Sequence, residues 1–203
     1  RKTFRTAAYT PSFTVKRKSL EQNHLMLAFP GLAVTDKKRY ALQLLSDILG
    51  GGMSSRLFQT VREKRGLCYS VYSFGSSYID TGLFAVYTAL GRETEREAVA
   101  VIMEELKKFK DGVTPEELTR AREQIKANIL MSLEQTGSRM HRLGKNELYL
   151  GYIPELDEII DYYDRVTQED IRTLAQEILD FEAASFSAVG KVCEADYYRE
   201  LIS

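Results

Sequence analysis

The sequence predicts an α+β fold: a mainly antiparallel sheet covered on one face by helices. Three observations lead there. Two pairs of apolar, strand-like runs are each followed or joined by turn residues, the mark of antiparallel neighbours. From residue 99 onward apolar residues recur at steps of three and four, the helical period. The helices come grouped rather than alternating singly with strands, so they lie together against one face of the sheet.

Each element has its own local reason. Ser12–Arg17 alternates apolar and polar residues, as a half-buried strand does. Asn23–Phe29 is a continuous apolar run stopped by Pro30-Gly31. Thr35 is expected to cap a helix that buries Ala41, Leu44, Leu45 and Ile48 and stops at Gly50-Gly51-Gly52. A short helix over Ser54–Glu63, capped by Ser54 or Ser55, puts Leu57, Phe58 and Val61 on one face. Cys68–Ser77 and Gly82–Leu90 form a hairpin around Asp80-Thr81-Gly82. A helix through Val99, Ile102, Leu106 and Phe109 closes at Asp111-Gly112. Thr114-Pro115-Glu116-Glu117 is a capping box with Pro at the first helical position, opening a helix striped by Leu118, Ala121, Ile125, Ile129 and Leu133. Further helices cover Arg139–Leu150 and Glu155–Tyr163, and Thr167 caps another that buries Ile171, Leu174 and Ile178. Ala183–Val189 is the last strand, and Glu194–Ile202 is weakly helical.

Composition narrows the function. The chain has 203 residues, 44% hydrophobic and 28% charged, enough to bury a core without a disulfide or metal staple. Lys+Arg 28 against Asp+Glu 29 gives a net charge of -1, with no basic excess to attract nucleic acid. No apolar run reaches the roughly 20 residues of a bilayer span. The basic stretch Arg1–Ala8 has no apolar h-region, so it does not read as a signal peptide, and a cytoplasmic, bacterial setting is expected. No Met opens the chain, which points to a fragment or processed product. Residues 1–203 are expected to form a single domain. The 2 cysteines, Cys68 and Cys193, read as reduced thiols.

Motifs for chemistry within the chain are missing. A zinc-protease helix needs two histidines on one face, as in H-x-x-E-H, and His24 and His141 have no such neighbourhood. G-x-S-x-G is absent, and the three glycines before Met53 follow a helix, without the G-K-[ST] of a phosphate loop. No metal site is expected here.

The segment Gly50–Val71, with Arg-Glu-Lys-Arg-Gly-Leu-Cys-Tyr at residues 62–69, resembles the pitrilysin/insulinase family of zinc metallopeptidases, the inverzincins, which includes the mitochondrial processing peptidase. Glu21–His24 before the apolar strand, Asp80–Phe84 in the hairpin and Thr114–Leu118 with Ala121-Arg122 extend the likeness over residues 12–190. Members of that family have two homologous halves, and the N-terminal one binds zinc. This chain is similar to the C-terminal, metal-free half, which carries the Arg-Gly-Leu-x-Tyr signature. The resemblance implies that Arg62 and Tyr69 reach toward the partner's zinc site, bind substrate backbone and support the oxyanion, where a guanidinium and a phenol serve as donors. It implies lesser substrate-binding roles for Arg65 and for the Gly50, Gly51 and Gly52 loop. It also implies zinc in the partner half, no cofactor in this chain, and a peptide substrate. The partner would be an H-x-x-E-H-bearing half in the same polypeptide or a separate subunit, with homodimerisation an option for the isolated domain. Arg56, one and a half turns before Arg62, is expected to be silent to mutation. The competing expectations are a non-catalytic structural or assembly subunit of the same superfamily, and a plain ligand-binding α+β domain.

Overall fold

The computed structural model describes residues 7–202; the expectation for Arg1–Ala8 falls mostly outside them. Five strands form one sheet in the order β1-β5-β2-β4-β3. They are β1 (Phe13–Arg17), β2 (Asn23–Gly31), β3 (Ser70–Ser77), β4 (Gly82–Leu90) and β5 (Ser185–Gly190). Three of the pairings are antiparallel, and β1 runs parallel to β5. The helices are α1 (Arg39–Gly50), α2 (Glu95–Phe109), α3 (Pro115–Glu134), α4 (Thr136–Leu150), α5 (Leu156–Arg165), α6 (Gln168–Ile178) and α7 (Ala195–Ile202). A π-helical turn, Phe58–Glu63, separates α1 from β3.

One face of the sheet carries the core. Leu25, Leu27 and Phe29 of β2 stand opposite Thr88, Val86 and Phe84 of β4, and all are buried. Val99, Ile102 and Met103 of α2 and Ile202 of α7 close over them. On the other face His24 bonds the Tyr87 hydroxyl, and Tyr72 packs on Tyr87 and Phe74. The C-terminal helix is held by a buried cluster in which Tyr198 and Asn23 both donate to the Glu95 carboxylate at 2.6 and 2.5 Å. Glu95 is thus satisfied although only 4% exposed.

Both capping boxes form. Thr114 accepts from Glu117 N and Glu117 returns the bond; Thr167 and Asp170 do the same. Other expectations need correction. Thr35 caps nothing: the chain turns first, Asp36 accepts from Lys38 N at 2.8 Å, and α1 begins only at Arg39. The short helix expected over 54–63 is narrowed to a π-turn, and Ser55 bonds back to Gly52 O instead of capping it. The third strand starts at Ser70, although Tyr69 N already donates to Ala89 O at 2.8 Å. The helix expected from Arg139 starts at Thr136, since the break lies at the extended Gln135.

Candidate functional site

Arg62 and Tyr69 flank one corner of the molecule, where the π-turn leads into β3. Val61 and Leu67 are buried on the inner side of this corner and bond through Leu67 N to Val61 O at 3.0 Å. Gly66 sits between at φ +63°, the left-handed conformation that the reversal needs and that glycine adopts without strain. The residues left outside are Arg62 and Tyr69. The Arg62 guanidinium lies 4.8 Å over the Phe58 ring and has no carboxylate partner among the described residues. Tyr69 is 71% exposed, unusual for a tyrosine beside a sheet. Cys68 between them is buried. Burial pushes its thiol up, against the Thr88 hydroxyl and the nearby Arg62 charge. It is therefore a packing residue rather than a nucleophile.

The other candidates lie elsewhere. Arg65 leans toward α2, with Glu97 at 3.6 Å. Gly50 is not in a loop. It is the buried last residue of α1, and a Cβ there would stand 2.4 Å from Ser73 N. Its absent side chain lets α1 press against β3, where Ser73 donates to Ser46 O at 2.8 Å. Gly51 caps α1 and lines a cleft between α1, β3 and α4; Gly52 is turned toward Gln124 of α3.

Arg56 is the residue that sequence reasoning misjudged. It grips Glu117 through two bonds of 2.7 and 2.6 Å, donates to Gly112 O at 3.1 Å and covers the Phe109 ring at 4.8 Å. It ties the segment before the π-turn to α2 and α3. No signal near Arg56 announces this, because the partner is 61 residues away.

Among the described residues no group of three or more His, Cys, Asp or Glu is placed to hold a metal ion. His24 is committed to Tyr87, and His141 lies on α4, which buries no residue. The described residues thus do not fit a zinc ion. No helix among the described residues is long and apolar enough to cross a membrane.

The described residues thus form a helix-backed sheet with an exposed guanidinium and phenol at one corner and, among them, no metal cluster. Residues 2–125 match the peptidase M16 inactive domain, and the chain belongs to that family. It is 44% identical over 180 residues to the uncharacterized zinc protease YmxG of Bacillus subtilis, covering 87% of this chain and 44% of that protein. It is 42% identical over 171 residues to an uncharacterized zinc protease of Streptomyces coelicolor, covering 84% of this chain and 37% of that one. The chain thus spans under half the length of these relatives. In fold it is similar to the peptidase M16 inactive domain from Pseudomonas fluorescens, at TM-score 0.83, 23% identity, and 94% and 46% coverage of the two chains. A chain of complex III2 from Candida albicans gives TM-score 0.83 at 15% identity, covering 95% of this chain and 49% of that one.

Proposed function

We propose that this chain is the substrate-binding, transition-state-supporting half of a zinc-dependent peptidase, working in the bacterial cytoplasm with an H-x-x-E-H half that is fused to it or a separate subunit. The observation that carries the reading is the exposed corner. Arg62, with no carboxylate partner among the described residues, and Tyr69 present a guanidinium and a phenol outward on either side of a turn anchored by the buried Val61 and Leu67. Both are donors, and among the described residues neither is engaged by a carboxylate. The cleaving chemistry belongs to the other half. Here Arg62 holds substrate carbonyls and Tyr69 donates its hydroxyl proton in a hydrogen bond to the oxygen on which charge develops. The glycines at 51 and 52 are secondary contacts in this reading, and Arg65 is a weaker one, since Glu97 competes for it.

The test is kinetic. With the complete two-half enzyme, Arg62→Ala and Tyr69→Phe each lower kcat/KM by about ten- to a thousand-fold, with thermal stability unchanged. Wild-type turnover in both variants would sink this role. It would favour instead a structural or assembly subunit, a reading to which the likeness to a chain of complex III2 lends its fold alone.

A further inference from the structure

We propose that Phe58 is a positioning residue for Arg62: its ring holds the guanidinium outward by a face contact that leaves the N–H donors free for substrate. This rests on the reading of Arg62 as a substrate contact and adds the group that aims it.

Phe58 stands apart from the core. Its neighbours Leu57, Val61 and Leu67 are buried, while Phe58 itself is half-buried. It belongs neither to the core cluster nor to the partly buried apolar side chains packed against that cluster. The sequence puts Phe58 on one face with Leu57 and Val61; the structure separates them. Leu57 and Val61 point inward, and Phe58 and Arg62, each one residue later, form the neighbouring row on the π-turn. There the Arg62 guanidinium lies 4.8 Å over the Phe58 ring, which is the ring's one such contact among the described residues. The platform under the ring is fixed on both sides. Arg56 clasps Glu117 just before it, and Val61 O accepts from Leu67 N at 3.0 Å just after it. Lys64 N closes the turn on Gln59 O at 3.0 Å, the wider π spacing that recurs at functional sites.

The contact has a chemical consequence. An exposed arginine without an ion pair samples many rotamers, and a substrate that binds it must freeze them. A carboxylate would hold the side chain too, but would take up its donors and its charge. Arg56 is the example: its donors are spent on Glu117 and on Gly112 O. An aromatic ring instead meets the flat face of the guanidinium, while the N–H groups radiate in its plane. Among the described residues the Arg62 side chain makes no hydrogen bond or ion pair. It is thus restrained with its charge and donors unspent.

The test has a spectroscopic and a kinetic arm. In this chain the proton NMR signals of the Arg62 δ-methylene, assigned by their loss in Arg62→Ala, are displaced upfield by the ring. The displacement vanishes in Phe58→Leu and persists in Phe58→Tyr. In the complete two-half enzyme Phe58→Leu lowers kcat/KM about ten-fold, with Tm within about 4 °C of wild type. Phe58→Tyr, which keeps the ring, stays within about two-fold of wild type. In an Arg62→Ala background Phe58→Leu costs nothing further. Undisplaced Arg62 signals in the wild type overturn the stacking. A Phe58→Leu loss that recurs in full beside Arg62→Ala shows that the ring acts through packing alone, which also overturns the proposal. If Phe58→Leu turns over like wild type while Arg62→Ala is impaired, the positioning role falls and the substrate contact stands. If Arg62→Ala itself turns over like wild type, the reading beneath the proposal falls and takes the proposal with it.

Discussion

Arg56 and Arg62 are six residues apart, and the structure gives them opposite fates. Arg56 is turned inward, with its side chain 21% exposed against 16% for Glu117, and its charge is spent inside the molecule. Arg62 is turned outward, with its guanidinium over the Phe58 ring and no carboxylate partner among the described residues. Burial pushes the Glu117 carboxyl up, but the Arg56 guanidinium and the Thr114 N–H outweigh it and hold the group below the ordinary carboxylate range. A carboxyl so depressed stabilises the fold at any pH above its unfolded value, and that contribution is lost as pH falls through the folded value. Glu117→Gln should therefore cost about 2 kcal/mol at neutral pH, or about 5 °C in Tm. The gap between wild type and variant should narrow only in acid, as pH falls through the depressed folded value of Glu117 and both side chains become neutral. Differential scanning calorimetry across pH 3–7 measures this. A gap that persists undiminished in acid would show that the clasp acts through shape, not charge. The pairing was invisible in the sequence because ion pairs across 61 residues leave no local pattern. The Thr114–Glu117 box, three residues long, was legible for the opposite reason.

The same division governs whole elements. Hairpins, caps and amphipathic stripes depend on neighbours in sequence, so β3–β4, α3 and α6 were readable with nearly correct bounds. The parallel β1–β5 pairing joins residues such as Phe13 and Phe186, and no short-range signal specifies it. The glycine run at 50–52 shows how a local reading goes astray. It was legible as a stop, yet Gly50 is a contact point between α1 and β3, chosen for its missing side chain. Gly50→Ala should lower stability by about 1–3 kcal/mol, because the new Cβ meets backbone that cannot step aside. Gly52→Ala meets only the flexible end of Gln124 at 3.4 Å. It should stay within about 0.5 kcal/mol of wild type. Urea unfolding of the two variants decides this. Equal losses would mean that the run acts as one flexible loop, as the sequence alone suggested.

At the scale of the molecule, the fold is held by one continuous apolar core, and among the described residues no cluster is placed to hold a metal. Phe29, Phe84 and Leu45 are fully buried under the helices, and the same continuous cluster reaches Tyr198 of α7. A metal-stapled domain behaves differently: its ligands converge, and its binding free energy is folding free energy. Here the groups with ligating chemistry are dispersed. His24 faces Tyr87 on the sheet, His141 is exposed on α4, and Cys68 is sealed beneath the π-turn. A closed tetrahedral site needs four such groups brought to one point. The chain, treated with chelator, given zinc and passed through a desalting column, should retain less than about 0.1 zinc per molecule. Its Tm with and without chelator should agree within about 1 °C, since no ligand is there to be lost from the native state. One tightly held zinc, or a melting point that falls on chelation, would contradict the assignment of this chain as a metal-free half. It would place the catalytic question in this domain.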